Sequence, residues 1–306
     1  MISVLICTYN RGAVLKDCLD SLLCQTTDMS QFEVLVVNNN SSDITEELVL
    51  QYVDQYDNFR LVSEPVQGLS NARNRAYKEA KYDWLLYLDD DAIAYPDMIQ
   101  QAIYTIDNFD FDMFGGMYFP WYRDSIKPRW MSNTFGQSIK FLDNIGYLKD
   151  GEYVSGGIMV MSRRALQMVD GFPTTIGMNG SKIAYGEETY IQNKLRELGY
   201  KIGYNPNMCI THLVPTYKQT VSWQLRAAYA HGRDSVIIYD MQIFPQWYIL
   251  VYKLLKIQLK SILLVLRNLF KRKKYYWQNI VLDMFSSTFK YCGYIEGIIN
   301  KKKVDA

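Results

Sequence analysis

The sequence lacks the closely spaced cysteine pairs that a disulfide framework or a zinc site requires. Its five cysteines are odd in number and scattered along the 306 residues: Cys7, Cys18, Cys24, Cys209 and Cys292. This distribution favours reduced cysteines in a reducing compartment. No basic segment followed by an apolar run precedes the first apolar segment at Ile2, so we expect no export signal and a cytoplasmic protein.

Two glycine-rich nucleotide-binding motifs are also missing. Residues 7–12, which follow the first predicted strand, read Cys-Thr-Tyr-Asn-Arg-Gly and do not form the G-x-G-x-x-G turn of dinucleotide-binding enzymes. No Walker sequence occurs anywhere in the chain. These absences argue against a nicotinamide-dependent oxidoreductase and against a P-loop enzyme.

The charged residues are distributed unevenly. Residues 246–306 hold 12 Lys and Arg against 3 Asp and Glu, a net charge of +9, whereas residues 1–245 hold 21 against 29, a net charge of −8. The basic tail is therefore expected to have its own anionic partner, either lipid or nucleic acid. An apolar content of 49% is ample for one large α/β domain or two smaller ones.

The first part of the chain alternates between predicted strands and predicted helices. Apolar runs predict strands over 2–7, 32–37, 61–62 and 84–88, and helical patterns follow the first three of them. Such alternation predicts parallel β-α-β units with both sheet faces covered. Further strands are predicted over 114–119 and 202–204, and another buried strand is predicted directly after Gly156 and Gly157. An aromatic-rich loop is predicted over 120–131, and a helix is predicted to begin near residue 187.

Three consecutive acids, Asp89, Asp90 and Asp91, come directly after the predicted strand 84–88. Ligands in open α/β sheets bind beyond the carboxyl ends of the strands. Adjacent carboxylates repel one another, so the cluster predicts a divalent cation held together with substrate phosphates. The alternative is a solvated turn that caps a helix beginning near Tyr95.

Seven short motifs occur in the order found in one enzyme family, and together they span two thirds of the chain. They are Val4–Arg11, Val36–Asp43, Gly68–Asn74, Leu88–Asp91, Ser155–Gly157, Asp170–Phe172 and Gly186–Glu188, the last followed by Leu195–Tyr200. This series resembles the inverting family 2 glycosyltransferases of the GT-A fold. The resemblance implies an α/β fold with a Rossmann-like, mainly parallel sheet flanked by helices, and the tail adds a C-terminal amphipathic helical extension.

The resemblance also implies roles for individual residues. The donor nucleotide is expected to contact Thr8, Tyr9, Arg11, Asn39, Arg73, Asp89 and Asp90. The metal, Mn²⁺ or Mg²⁺, is expected on Asp91, with His212 as a second ligand or else as an ordinary satisfied histidine. Acceptor contacts are expected from Trp121, Tyr122, Trp130, Gly156 and Gly157.

The catalytic base is expected at Glu188 or Glu187. The family more often has Asp at the position of Glu188, which leaves the choice between the two open. Displacement of a nucleoside diphosphate from an anomeric carbon needs a carboxylate that takes the proton of the acceptor hydroxyl. The alternative is that both acids only complement the dipole of the helix that they begin.

The predicted function is transfer of one sugar, with inversion, from a nucleotide-sugar to a lipid-linked or polysaccharide-precursor acceptor. A sugar nucleotidyltransferase would carry a glycine-rich basic loop after the first strand, which residues 8–12 do not supply. A non-catalytic membrane-bound scaffold is the alternative from another class. The predicted domains are a catalytic domain, 1–220, with a nucleotide-binding half, 1–110, and an acceptor half, 111–220, and a helical membrane-associating region, 221–306.

The tail over 249–274 is predicted to be a helix that lies in a membrane surface. At 100° per residue its basic side chains share one arc: Lys253, Lys256, Lys260, Arg267, Lys271 and Lys274. Six apolar side chains occupy another arc: Val251, Leu255, Leu259, Ile262, Leu266 and Leu269. The charges interrupt every window long enough to span a membrane, so we expect a peripheral helix on the anionic inner face. The alternative is a helix packed on the catalytic domain, and nucleic acid is disfavoured because it would leave the apolar arc uncovered.

Overall fold

The computed structural model describes residues 1–178, 183–239, 241, 245–271 and 274–304, with the backbone alone for 302–304. The chain divides into two compact units. Unit 1 comprises Met1–Trp121, Gly136–Thr175 and Glu187–Leu213. Unit 2 comprises Tyr122–Phe135, Ile176–Gly186 and Val214–Ala306.

All the strands found in the described residues belong to unit 1. They are β1 (Ile2–Thr8), β2 (Phe32–Asn38), β3 (Phe59–Ser63), β4 (Trp84–Leu88), β5 (Ala92–Ala94), β6 (Met113–Trp121), β7 (Gly146–Tyr147), β8 (Ile158–Ser162) and β9 (Ile202–Leu213). The helices of unit 1 are α1 (Gly12–Leu23), α2 (Thr45–Gln55), α3 (Leu69–Glu79), α4 (Met98–Asn108), α5 (Arg163–Met168) and α6 (Glu187–Glu197), with a 3₁₀ turn at Met29–Gln31.

The strands form one sheet in the order β3-β2-β1-β4-β8-β6-β9-β5, with β7 on β9. The strands from β3 to β4 are parallel, as the alternation with helices predicted. Strand β8 runs antiparallel to both β4 and β6, and β6 is parallel to β9. The chain leaves β1 toward β2 on one side and reaches β4 on the other, so the strand order reverses beside β1.

Apolar side chains fill both faces of this sheet. One cluster packs β1, β2 and β4 against apolar residues of α1, α2 and α4, and includes Leu15, Leu19 and Ile99. The other packs the opposite sheet face against α3, α5 and α6, and includes Ala76 and Leu195. Because both faces are covered, the central strands are almost continuously apolar, and β2 is buried at every position. The predicted α/β class with a Rossmann-like sheet flanked by helices is confirmed.

Strand β4 spans the predicted residues, but β9 extends beyond the prediction. Strand β9 continues through Asn205 and Pro206 to Leu213, nine residues past the predicted end at Tyr204. The Asn205 side chain donates to Thr105 Oγ1 at 2.8 Å and accepts from the Asn207 backbone N–H at 2.8 Å, at the point where the register between β6 and β9 shifts. Strand β8 begins at Ile158, directly after the two glycines, as the sequence predicted.

Unit 2 is built from three long helices in the described residues. They are α7 (Val221–Ile238), α8 (Trp247–Lys271) and α9 (Trp277–Val304), preceded by a 3₁₀ turn at Thr216–Gln219. Glycines let α7 and α9 approach closely, because a Cβ at Gly293 would lie 1.9 Å from Tyr229 O and one at Gly232 would lie 1.7 Å from Lys290 O. The C-terminal helical extension is therefore present.

Helix α8 packs against α9 with a third face, which is distinct from its basic arc and its apolar arc. Ser261, Val265 and Asn268 are buried there, and Asn268 Nδ2 donates to Asp283 Oδ2 at 2.7 Å. The six residues of the predicted apolar arc are instead between 44% and 64% exposed. Residues 272 and 273 of the predicted helix lie outside the described residues. No helix in the described part of the chain combines the length and apolar character needed to cross a membrane.

Candidate active site

The candidate site lies in unit 1 at the carboxyl ends of β1 and β4, where the strand order reverses. Strand β1 ends at Thr8, which is buried, and β4 ends at Leu88, directly before the three acids. Ligands of open α/β sheets bind at such reversal points because two loops diverge there and leave a crevice. The fold therefore brings the first loop and the acidic cluster to one edge of the sheet.

Asp89, Asp91 and His212 form a cluster with metal-ligand geometry. One ligand atom from each lies within 4.8 Å of the other two. His212 Nε2 lies 3.2 Å from Asp89 Oδ2 and 3.1 Å from Asp91 Oδ1. Strand pairing brings them together, because β5 aligns Ala92 with His212 on β9 and Leu213 N–H donates to Asp91 O at 3.0 Å.

The electrostatics of this cluster suit a cation. Burial alone would lower the pKa of His212, but the carboxylates of Asp91 and Asp89 outweigh burial and raise the pKa to about 10. Burial raises the pKa of Asp89, but His212 and Arg73 hold it below its ordinary value. A proton on His212 thus balances the two carboxylates, and a divalent cation would supply that balance by replacing the proton.

Asp90 lies in the same turn but faces the first loop. Burial and the neighbouring charge of Asp91 raise the pKa of Asp90 to about 7, and Arg11 and the Thr8 hydroxyl act against this rise. The Arg11 guanidinium also lies 3.7 Å from Asp91 Oδ2. Thr8, Arg11, Asp90 and Asp91 are therefore neighbours, and their roles in donor and metal binding stay predictions.

Arg73 is a buried residue of α3 that contacts several parts of the site. Its Nη1 donates to Glu187 Oε1 at 2.9 Å, and its Nη2 donates to Gly156 O at 3.2 Å and lies 3.7 Å from Asp89 Oδ1. The Phe172 ring lies 5.3 Å from the guanidinium carbon. One arginine thus links the acidic turn, the glycine loop and the start of α6.

The next residue, Asn74, connects two motifs that are far apart in sequence. Its Nδ2 donates to Phe172 O at 2.8 Å, and its Oδ1 accepts from Phe172 N–H at 2.7 Å. This pair of bonds holds the turn in which Asp170 and Gly171 adopt positive φ, 58° and 76°. This turn therefore places the Phe172 ring beside Arg73.

The two acids that begin α6 have different surroundings. Glu187 is buried and paired with Arg73. Glu188 is half-buried, and no ion pair of Glu188 is found among the described residues. Burial, followed by the charge of Glu187, raises the pKa of Glu188 to about 7, against the opposing charge of Arg73. A carboxylate with that pKa can accept and release a proton near neutral pH.

Gly156 and Gly157 line the space between these groups. A Cβ on Gly157 would lie 2.8 Å from Asp89 Oδ2, and one on Gly156 would lie 3.1 Å from Arg73 Nη2 and 3.6 Å from Glu188 Cδ. Both positions therefore need glycine so that the backbone can pass close to the charged groups. Glu188 and the acid–histidine cluster border the same short loop.

The first loop is tied to the loop after β2. Asn10, at φ 51°, donates its N–H to Ser41 Oγ at 3.0 Å and accepts from Ser42 N–H at 2.7 Å through Oδ1. Asn39 is buried, and its amide bonds Glu64 O, Val66 O and Gly68 N–H, so it holds the segment before α3. Tyr9 is 38% exposed at the rim of this region. Base contact by Asn39 stays a prediction.

The predicted aromatic acceptor group is distributed over both units. Trp121 is the last residue of β6, so the loop begins at residue 122, two residues later than predicted. Tyr122 and Trp130 belong to unit 2, where the Tyr122 hydroxyl donates to Phe135 O at 3.4 Å and Trp130 O accepts from Asn279 Nδ2 at 2.7 Å. Their roles in acceptor binding stay predictions.

Tyr118 is a site residue that sequence reasoning missed. Its ring centroid lies 5.5 Å from that of His212, and its hydroxyl is hydrogen-bonded with the Ser155 side chain. Burial raises its pKa, and the charges of Asp89 and Glu188 act in the same direction. A tyrosine within an apolar strand looks like an ordinary core residue, and only the pairing of β6 with β9 could have revealed its position.

The donor set fits a divalent cation of intermediate hardness. Two carboxylates and one imidazole converge, and Mn²⁺ accepts such mixed oxygen and nitrogen ligands more readily than Mg²⁺, which prefers oxygen and retains waters. Asp89, Asp91 and His212 would hold the ion. The separate candidates of the sequence, an acidic turn and a lone histidine, are thus brought into one site.

The sequence comparisons agree with this geometry. The family model described as Glycosyl transferase family 2 matches residues 3–169, more than half of the chain. The chain belongs to glycosyl transferase family 2. The match includes the first loop, Arg73, the acidic turn and the glycine loop, so the family resemblance inferred from the motifs is confirmed.

The chain is similar in sequence to two named enzymes, a polysaccharide synthase and a glycosyltransferase. Poly-beta-1,6-N-acetyl-D-glucosamine synthase of Staphylococcus aureus (strain COL) is 26% identical over 243 residues, which are 78% of this chain and 56% of that protein. The glycosyltransferase AglE of Haloferax volcanii is 34% identical over 116 residues, 38% of each chain. The chain thus spans about half the length, or less, of these relatives.

Solved structures of similar fold support the GT-A architecture. The mannosyltransferase PcManGT from Pyrobaculum calidifontis, in complex with GDP-Man and Mn²⁺, matches with a TM-score of 0.66 at 17% identity, over 98% of this chain and 87% of that chain. Residues 1–349 of TarS from S. aureus, in complex with UDP-GlcNAc, match with a TM-score of 0.58 at 16% identity, over 98% and 92%. These identities establish the fold alone.

Proposed function

We propose that this family 2 glycosyltransferase moves one sugar, with inversion, from a nucleotide-diphosphate-sugar to a hydroxyl of a glycan or lipid-linked precursor. One observation carries the proposal: an acid–histidine cluster and a second carboxylate of raised pKa border the same glycine loop. The first group suits a leaving diphosphate with its cation. The second suits removal of a proton from an incoming hydroxyl.

The proposed donor site is formed by the first loop, Arg73 and the acidic turn. Asp91 and His212 hold the metal with Asp89, and a bound divalent cation supplies charge that stabilises the departing diphosphate. Arg11 and Arg73 add positive charge beside this site. Mn²⁺ is the proposed cofactor because one of the three ligands is a histidine.

Glu188 is the proposed general base. Glu187 is already paired with Arg73 at 2.9 Å, so its carboxylate is occupied in holding α6 and α3 together. Glu188 lies against Gly156, on the loop that also borders Asp89. Its proton acceptance from the acceptor hydroxyl would be worth about 10²- to 10⁴-fold in rate.

The nucleotide can be identified by a thermal-shift screen of nucleoside diphosphates with Mn²⁺ or Mg²⁺. UDP and GDP are tested first, since the structural neighbours were solved with UDP-GlcNAc and with GDP-Man. A ligand at one hundred times its Kd stabilises the folded state by about 2.7 kcal/mol. We expect one diphosphate to stabilise the protein only with the metal, and an Asp91→Asn variant to lose this effect. Stabilisation that is equal without metal would contradict the proposed site.

Donor hydrolysis without acceptor separates this proposal from a non-catalytic scaffold. Water can replace the acceptor hydroxyl in a site that contains a metal-bound donor and a base. We expect slow, Mn²⁺-dependent release of sugar from the donor that the screen selects. A protein that binds the donor but neither hydrolyses it nor transfers its sugar would favour the scaffold.

We further propose that the helical region, 221–306, holds the enzyme on the anionic inner face of a membrane, while residues 1–220 carry the reaction. On α8 the apolar arc is exposed and the basic arc lies beside it, whereas the third face packs against α9. This arrangement favours a surface that is both apolar and anionic, and leaves nucleic acid unsupported. A peripheral position would bring the enzyme to a lipid-linked acceptor.

A further inference from the structure

Unit 2 contains a groove of about 630 Å³ that the proposed reaction does not use. Its walls come from the start of α7, from α9 and from the 122–135 segment. The lining residues that matter here are Trp130, Val221, Leu225, Arg226, Trp277 and Phe289. We refer to this cavity as the α7–α9 groove.

The walls of the α7–α9 groove are fixed by hydrogen bonds. Asn279 Nδ2 donates to Trp130 O at 2.7 Å and joins the 122–135 segment to α9. Gln219 Nε2 donates to Val214 O at 2.9 Å and to Ser125 Oγ at 2.6 Å. Thr220 Oγ1 accepts from Trp223 N–H at 3.2 Å and caps α7. The Gln219 and Thr220 side chains and the Trp130 carbonyl are therefore used in building the groove, whose lining also includes the aromatic and aliphatic side chains named above.

The dimensions of the groove suit one extended apolar chain. Trp277 and Phe289 both line it, and twelve residues of helix span about 18 Å. Phe285, one turn before Phe289 on α9, is also exposed, so apolar surface continues beyond the lining residues. An elongated apolar surface of this kind is usually covered by a ligand or partner.

The charge of the residues that line the groove also indicates which kind of ligand it would bind. Arg226 is exposed, and none of the described residues that line the groove is acidic. Arginine binds phosphate through several donors at once, which makes it the cation of choice beside a phosphate group. An apolar chain that ends in a phosphate would meet both features.

We propose that the α7–α9 groove binds the hydrocarbon chain of a phosphorylated single-chain lipid and that Arg226 binds its phosphate. This names the acceptor class within the proposed function, a glycan precursor carried on a lipid phosphate or diphosphate, and rests on that function for the identity of the lipid as acceptor. The binding of the lipid itself rests only on the groove.

The test uses the full chain and decyl phosphate below its micellar concentration, with binding followed by ligand-observed NMR and calorimetry. We expect decyl phosphate to bind, decanol to bind about tenfold more weakly because it lacks the phosphate, and inorganic phosphate to give no measurable binding. Arg226→Gln should reduce the affinity for decyl phosphate to that for decanol. Leu225→Gln, which puts an amide in the groove, should reduce the binding of both.

Leu255→Gln on α8 is the matched control, because Leu255 is exposed and does not line the groove. It should leave decyl phosphate binding unchanged. Leu225→Trp, which fills the groove with a larger and mainly apolar side chain, should abolish binding and guards against an unfolded Leu225→Gln variant. Nucleoside diphosphate binding with Mn²⁺ serves as the folding control for every variant.

Unchanged decyl phosphate binding in Leu225→Trp, or equal loss in Leu255→Gln, would overturn the proposal. Retained affinity in Arg226→Gln would overturn the assignment of the phosphate. If the wild-type protein binds decyl phosphate but no nucleoside diphosphate, the proposed function is refuted and the lipid-binding role of the groove is retained. If it binds a nucleoside diphosphate but not decyl phosphate, only the lipid-binding role of the groove is refuted.

Discussion

Glu188 and Glu187 are adjacent in sequence, but within the described part of the chain only Glu187 has a cationic partner at hydrogen-bond distance, Arg73. The pKa of Glu188, raised to about 7, implies that its carboxyl loses its proton near neutral pH. Because a general base must be unprotonated, kcat/KM is expected to rise with pH through about 7 and to level off above it. In Glu188→Gln this rise should disappear and turnover should fall about 10²- to 10⁴-fold, with donor affinity kept.

The measurement is a pH profile of wild type and Glu188→Gln with the same donor. Glu188→Asp is the matched variant, since it keeps the carboxylate and should retain part of the activity. A Glu188→Gln enzyme with the wild-type pH profile would contradict the assignment of the base.

Gly157 is predicted to be essential for the metal site rather than for the fold. A Cβ there would lie 2.8 Å from Asp89 Oδ2, and Asp89 is itself held by His212, so Gly157→Ala should displace the carboxylate from the cluster. We expect weaker Mn²⁺-dependent nucleotide binding with little change in the thermal midpoint of the ligand-free protein. Calorimetric titration of Mn²⁺ and nucleotide tests this expectation, and wild-type affinity in Gly157→Ala would contradict the geometry of the site.

At the scale of elements, the contact between α7 and α9 reverses the usual effect of a glycine-to-alanine substitution on the stability of a helix. Glycine to alanine in a helix interior usually stabilises by up to about 1 kcal/mol. At Gly293 the new Cβ would lie 1.9 Å from Tyr229 O, a backbone atom that can move only with its helix. Gly293→Ala is therefore expected to lower the free energy of unfolding by about 1–3 kcal/mol.

Ser287→Ala, at an exposed position of the same helix, is the control and should change the free energy of unfolding little. Denaturant unfolding followed by circular dichroism measures both. Stabilisation by Gly293→Ala would mean that α7 and α9 do not pack in the observed way.

The success of prediction from sequence differed between elements for physical reasons. Strands β1, β2 and β4 are almost continuously apolar and are each followed by a polar loop, so composition alone locates them. Strand β9 was predicted only over 202–204, because Asn205 and Pro206 interrupt its apolar run. The Asn205 side chain donates to Thr105, a partner 100 residues away in sequence that the local pattern does not reveal. Helix glycines such as Gly293 carry no signal until the partner helix is known.

The candidate site shows the same division. The acidic turn and Arg73 were found because their motifs are local. Tyr118 was missed, and the choice between Glu187 and Glu188 stayed open, because each depends on partners far away in sequence. A helix in the tail was also predicted, although α8 ends at Lys271, before Lys274 of the predicted basic arc. The burial of Ser261, Val265 and Asn268 could not be predicted from periodicity.

At the scale of the whole molecule, the uneven charge is expected to govern membrane binding. Residues near α8 contribute most of the +9 of the tail, and each Lys or Arg near an anionic surface is worth about 1 kcal/mol. We expect the full chain to sediment with anionic vesicles and only weakly with neutral ones. High salt should release it only partly, because the apolar arc is also buried in the membrane surface.

Two sets of substitutions separate the electrostatic from the apolar contribution to membrane binding. They are used instead of a truncation because α7 packs on α9, which a truncation would remove. Replacing Lys253, Lys256 and Lys260 by Gln should abolish the preference for anionic vesicles. Replacing Leu255, Leu259 and Leu266 by Ser should make the remaining binding fully sensitive to salt. Sedimentation equal to wild type in both variants would refute the anchor.

The central claim is that unit 1 catalyses a metal-dependent single displacement with Glu188 as the base. Real-time ¹H NMR of donor hydrolysis tests it without a known acceptor, because water attacks the anomeric carbon and the first sugar anomer is observed before mutarotation. From an α-linked donor with Mn²⁺ we expect the β-anomer to appear first, at a rate that falls about 10²-fold or more in Glu188→Gln. First appearance of the α-anomer would contradict the proposed mechanism.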